Sequence, residues 1–183
     1  TGVLMLFGIL IVSALLRPDP RDAGRAIAVH SEAASALPSV AGTGRSYLEV
    51  LRLRPARVAL AAMVLGQFVM VAVMVITPLH MKENSQSLEA ISGVIAAHVF
   101  GMFALSVVTG RVADRFGRET AIGIGALILI AAGLLAPFAQ TPLPLGGALF
   151  LLGLGWNFCY VAGSSMLADT LRAGERGRLQ GTN

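Results

Sequence analysis

Two sets of residues in this chain could do chemistry. The first is the segment Gly110-Arg111-Val112-Ala113-Asp114-Arg115-Phe116-Gly117-Arg118, where one carboxylate stands among three guanidiniums. An acid in such a cluster can pair with arginine or cap a helix N-terminus. The second is a scatter of polar side chains within long apolar runs: Gln67, His98, Trp156, Asn157 and Tyr160. An amide, an imidazole, an indole and a phenol suit hydrogen-bonded recognition of a solute. Catalysis would need them clustered with a nucleophile or a metal. The chain has no Cys/His metal spacing, no Gly-x-Ser-x-Gly elbow and no phosphate loop of the Gly-x-x-x-x-Gly-Lys-[Ser/Thr] kind. No catalytic residue, metal or cofactor is expected. His80-Met81-Lys82-Glu83-Asn84 reads as a polar loop, because Lys82 opposes a cation and the ligands are few.

The elements that carry these residues follow from composition. Apolar residues make up 55 % of the 183 and charged residues 13 %, about half the roughly 25 % typical of soluble domains. The apolar residues are gathered into runs rather than spaced as a soluble core requires. Five runs stand out: Thr1–Leu16, Val58–Leu79, Leu88–Thr109, Ala121–Ala139 and Leu143–Ala168. About 20 apolar residues cross a bilayer as a helix, so the last four are long enough, and the first reads as a span cut short. A closed barrel would need alternating strands in place of continuous runs. The expected fold is an all-α, polytopic membrane helix bundle of about five helices. Cys159, the one cysteine, lies inside a run and rules out a disulfide within the chain.

The arginines set the topology. Arg17, Arg21, Arg25, Arg45, Arg52, Arg54 and Arg57 lie between the first two spans. Arg111, Arg115 and Arg118 lie between the third and fourth, and Arg172, Arg176 and Arg178 follow the fifth. If every span crosses, these segments share one face, and only Lys82 of the fourteen basic residues lies on the other. That bias places the basic face in the cytoplasm, within the inner (plasma) membrane. It also accounts for the basic balance without nucleic acid as a partner. His30, His80 and His98 then fall inside, outside and at mid-depth, too far apart to act together.

Residues 17–57 read as a cytoplasmic linker, rich in Pro18, Pro20, Pro38 and Pro55 and holding a Gly42-Thr43-Gly44 turn. Ser46 to Arg54 fits either a short helix at the headgroups or a helical patch in a flexible linker. The first and fourth spans have almost no polar side chain at depth and suit contact with lipid. The second, third and fifth carry Gln67, His98 and Asn157 near the midplane, where an unpartnered polar group is costly. Two roles fit: lining a solute pathway, or joining neighbouring helices as hydrogen-bonded packing contacts. The set leans to the first role, and His98 taken alone leans to the second. Gly155, Cys159 and Gly163 recur every four residues and read as a close-packing stripe.

Gly110, Asp114, Arg115, Gly117 and Arg118 resemble the cytoplasmic loop signature of the major facilitator superfamily. Glu119 departs from it, since a basic residue is more usual there. Gly153-Leu154-Gly155-Trp156-Asn157-Phe158 also resembles the tenth helix of a bacterial, uncharacterised subgroup. The long linker before the second span resembles that fold's central loop. The resemblance thus implies that residues 1–16 end the last helix of an N-terminal half, that 17–57 are the central linker and that 58–183 begin the C-terminal half. It implies a secondary transporter of a small organic solute, working by rocker-switch alternating access, with efflux as the commoner direction. Asp114 becomes the expected latch acid, and Asp169 with Arg176 or Arg178 could join Arg118 in a charge network. The partners implied are the solute, the lipid bilayer, the absent N-terminal half and a coupling proton, which would rest on His98 or on that half. The other readings are a non-transporting sensor or scaffold of the same fold and, with less in its favour, a membrane-embedded enzyme.

Overall fold

A computed structural model of the protein describes residues 46–171. The expected first span, the linker up to Arg45, and Arg172, Arg176 and Arg178 lie outside the described residues. Those described are helices and short connections, with no strand among them. A short helix α1 (Tyr47–Arg52) leads into α2 (Arg54–Glu83). The next span is split into α3 (Leu88–Phe103) and α4 (Ser106–Phe116). Helix α5 (Arg118–Leu135) ends in a 3-10 turn, Ala136–Phe138, and α6 (Pro142–Thr170) closes the bundle. Four spans are long and apolar enough to cross a membrane: Arg54–Glu83, Leu88–Phe116, Arg118–Phe138 and Pro142–Thr170.

Local chemistry sets the helix starts. Ser46 and Glu49 form a reciprocal capping box that opens α1, with the Ser46 N–H donating to Glu49 Oε2 at 2.8 Å. Of the two forms open to the Ser46–Arg54 stretch, the structure shows the helix. Val50 of α1 is buried with Ala56 and Leu171, which ties α1 to the start of α2 and the end of α6. Ser87 Oγ accepts from the Ala90 N–H at the head of α3, and Pro142 occupies the first position of α6. Gly117 joins α4 to α5 at φ +92° and ψ 152°, a backbone region essentially reserved for glycine.

The core is arranged around α6. It packs against α2, α3 and α5, and its buried residues run from Leu145 to Met166. Lipid tails are as apolar as leucine, so close packing must supply what hydrophobic burial cannot. Glycines allow it. A Cβ at Gly155 would stand 2.9 Å from Leu129 N, and one at Gly125 would stand 2.9 Å from Cys159 N. A Cβ at Gly153 would collide with the His98 carbonyl, and one at Gly101 with the Phe150 carbonyl. Helix α6 therefore meets α5 and α3 nearly backbone to backbone. Gly163 faces Ala59 and Met63, which brings α2 against the same helix.

Candidate functional site

Two polar clusters emerge, one at mid-depth and one at the arginine-rich end. Gln67, Phe103 and Trp156 stand at or beside the midpoints of their spans. The Trp156 indole N–H donates to Gln67 Oε1 at 2.8 Å, linking α2 to α6. The Trp156 and Tyr160 rings, one turn apart on α6, stack with centroids 4.9 Å apart and planes 16° apart. Phe103 meets Trp156 edge-on at 6.4 Å and 74°. Gln67, Phe103 and Tyr160 are exposed, so this wall is open. Among the described residues the Gln67 amide nitrogen and the Tyr160 hydroxyl have no hydrogen-bond partner.

His98 and Asn157 lie elsewhere. Each is only 2 % exposed. The His98 Nδ1–H donates to the Leu149 carbonyl at 3.0 Å, beside the Gly101–Gly153 contact. A carbonyl can only accept, which fixes the proton on Nδ1. Asn157 sits against the interruption between α3 and α4. Its Nδ2 donates to the Met102 carbonyl at 2.6 Å and to Ser106 Oγ at 2.8 Å, while its Oδ1 accepts from the Thr109 hydroxyl at 2.6 Å. Ser106 Oγ in turn donates to the Phe103 carbonyl. Side chains thus serve the carbonyls at the break. Both residues join helices and reach no open surface. The five polar residues singled out at mid-depth divide accordingly: Gln67, Trp156 and Tyr160 come together on the open wall, and His98 and Asn157 do not.

At the arginine-rich end Arg118 pairs with Asp114 one turn earlier and donates from Nε to Asp169 Oδ2 at 3.3 Å. The guanidinium is 29 % exposed, and the carboxylates are 70 % and 64 % exposed. One cation therefore ties the end of α4, the start of α5 and the end of α6. Glu119, the odd member of the loop pattern, lies 3.9 Å from Arg54 and connects α5 to the head of α2. Arg115 packs over the Phe116 ring. A Cβ at Gly110 would meet nothing within 4 Å, so no close approach among the described residues explains that glycine. No group of three His, Cys, Asp or Glu side chains able to hold a metal occurs among the described residues.

Sequence reasoning missed Phe103. Its only signal was an aromatic residue near mid-depth in a span already marked as polar.

Four apolar spans, a glycine-packed centre and polar groups at mid-depth define a multi-pass membrane helix bundle. The chain belongs to the Major Facilitator Superfamily, whose profile matches residues 1–183. It is similar to two uncharacterized MFS-type transporters of Bacillus subtilis. It is 38 % identical to YdeG over 97 % of this chain and 41 % of that protein, and 34 % identical to YddS over 100 % and 42 %. It is 33 % identical to the riboflavin transporter RfnT of Brucella anthropi over 77 % of this chain and 35 % of that protein. The chain thus spans about two fifths of the curated relatives that it matches over nearly its whole length. No solved structure matches it. The family and the names of these relatives are those of membrane transporters and not of enzymes.

Proposed function

We propose that residues 58–183 belong to the C-terminal half of a secondary transporter that moves a small organic solute by rocker-switch alternating access. Residues 1–16 would close the N-terminal half and 17–57 would link the two, with the arginine-rich end in the cytoplasm. In this reading the wall of Gln67, Trp156 and Tyr160 lines the solute pathway. The observation that carries it is the Gln67 amide, exposed and half-partnered at the middle of an apolar span. Such a group is costly against lipid and at ease beside water or a polar solute. A relative named for riboflavin transport supports an organic solute. Export is taken as the direction because exporters are common in the superfamily. His98 is 2 % exposed and turned into the contact between helices, so a coupling proton is assigned to the rest of the protein.

Asp114, Arg118 and Asp169 form the gating contact of this proposal, with Arg115 and the turn at Gly117 shaping the loop. Exposed pairs contribute about 0–1 kcal/mol each. Two states close in energy need no more than that to be rebalanced. In proteoliposomes of the full-length protein, Asp114→Asn should lower solute flux about fivefold, the effect of about 1 kcal/mol on a two-state balance. Expression and thermal stability should be unchanged. Wild-type flux in Asp114→Asn would remove the gate from the proposal. Absence of flux for every solute tried, with specific solute binding retained, would favour a sensor of the same fold.

A further inference from the structure

We infer that the solute of this wall is a flat, uncharged heteroaromatic molecule, stacked on the Trp156–Tyr160 pair and hydrogen-bonded at its edge by Gln67. The inference rests on the reading of this face as the wall of the solute pathway. Three observations point to it. The first is shape. Trp156 and Tyr160 present nearly parallel stacked rings, and Phe103 stands at 74° to the indole. Offset stacking on one ring pair and an edge-on contact from a third is the arrangement aromatic groups prefer, and a further flat ring adds to it by the same stacking.

The second is the polar edge. Gln67 Oε1 is held by the Trp156 N–H, which fixes the carboxamide plane beside the rings and leaves its nitrogen protons without a partner among the described residues. A solute carbonyl or ring nitrogen lying in the stacking plane can accept them. The exposed Tyr160 hydroxyl adds a second donor or acceptor along the same wall. Because the Trp156 bond orients the amide, Trp156 both stacks and positions Gln67.

The third is charge. The charged residues described lie at the span ends or in the connections, from Glu49 to Arg57, Lys82 to Glu89, Arg111 to Glu119 and at Asp169. The one titratable imidazole at mid-depth, His98, is 2 % exposed and turned into the helix contact. A charged solute on this wall would meet no compensating charge among the described residues, whereas a neutral ring with acceptors on its edge loses little.

The test uses the full-length protein in nanodiscs and proteoliposomes, with a panel of uncharged planar compounds: acridone, quinolone and alloxazine. A cycloaliphatic ketone of matching size and a planar carboxylate, acridine-9-carboxylate, serve as comparisons. Binding is read by fluorescence of the probe and uptake by flux. At least one of the three neutral planar compounds should bind, and the ketone and the carboxylate should not. Trp156→Leu should weaken that binding about tenfold or more, on the scale of aromatic stacking at other ring-binding sites. Trp156→Phe keeps a ring and should restore part of the loss, while Gln67→Leu should weaken binding of these compounds, each of which carries a carbonyl on its ring edge. Thermal unfolding of each variant should match that of the parent, which separates lost recognition from lost folding. Binding of none of the planar compounds, or equal binding by parent and Trp156→Leu, overturns the inference. If the ketone or the carboxylate is instead the compound moved, and Trp156→Leu or Gln67→Leu stops it, the solute class falls and the pathway wall stands. If flux of a transported solute ignores both variants, the wall itself falls.

Discussion

Gly153→Ala should yield a protein that fails to accumulate in folded form. Elsewhere in a helix this exchange is neutral or helpful, because alanine loses less backbone freedom than glycine and has the higher helix propensity, by about 1 kcal/mol. At Gly153 the sign reverses. The added Cβ would collide with the His98 carbonyl, stand 2.9 Å from Met102 N and lie 3.2 Å from the Gly101 carbonyl carbon. These are backbone atoms of α3 and cannot rotate away. Relief requires the two helices to part along their length, which opens the His98–Leu149 bond as well. Overpacking costs typically about 1–3 kcal/mol, and a backbone-to-backbone clash belongs at the top of that range or beyond it. Gly101→Ala attacks the same contact from the other side, through the Phe150 carbonyl and Leu154 N, and should behave alike. The double variant should cost less than the sum of the two, since one separation relieves both. Gly147→Ala is the matched control on α6, where nothing lies within 4 Å of the new Cβ. Size-exclusion profiles and thermal unfolding in detergent read the result. A Gly153→Ala protein as stable as Gly147→Ala would contradict the close contact of α3 and α6.

The same geometry explains what could be read from the amino-acid sequence. Four of the five expected spans fall within the described residues and are helices, because twenty-odd apolar residues in a row leave a membrane chain few alternatives. Their ends were less legible. Helix α2 runs from Arg54 to Glu83, beyond the expected Val58–Leu79, since charged and polar residues continue a helix where it leaves hydrocarbon. The break at Ala104–Leu105 had no local signal, as Phe103-Ala104-Leu105-Ser106 contains neither proline nor glycine. Its partner is Asn157, about half a span-length into another helix and remote in sequence. The Gly155–Cys159–Gly163 stripe could be read as close packing, whereas the pairing of Gly153 with Gly101 depends on the register between two helices.

Polarity at depth was readable and its direction was not. Gln67, His98 and Asn157 look equivalent as lone polar residues in apolar runs, yet one is exposed and two are 2 % exposed. The difference lies in which backbone carbonyl a rotated neighbour presents: Leu149 for His98 and Met102 for Asn157. No periodicity in one helix encodes that. At the arginine-rich end the resemblance had already suggested a network of Arg118 with Asp169, and the packing of the start of α5 beside the end of α6 supplies the geometry, 3.3 Å between them.

Asn157→Leu should be the most damaging single change after those at the Gly101–Gly153 contact, and by a different route. Leucine is larger and cannot hydrogen-bond, so the change adds some crowding, and its main loss is one of hydrogen bonds. Three disappear at once: those to the Met102 carbonyl, to Ser106 Oγ and from the Thr109 hydroxyl. Interhelical hydrogen bonds in membrane proteins average about 0.6 kcal/mol and reach about 1.7, which puts the three at about 2–5 kcal/mol together. The upper part of that range is expected, because the Thr109 hydroxyl, 0 % exposed, is left without its partner. Thr109→Val removes one bond and should cost about 1 kcal/mol. In the Asn157→Leu background the same change should be close to neutral, because its partner is already gone, and this shortfall from additivity identifies the network. Hydrogen exchange adds a local readout: amides from Phe103 to Thr109 should exchange faster in Asn157→Leu than in the parent, while those of α5 from Ile122 to Leu129 change little. Since the Asn157 side chain holds the interruption between α3 and α4 in place, its loss lets that span straighten or fray, and flux in the full-length protein should fall with it. Additive effects of Asn157→Leu and Thr109→Val, with unchanged exchange at the break, would show that Asn157 holds nothing there.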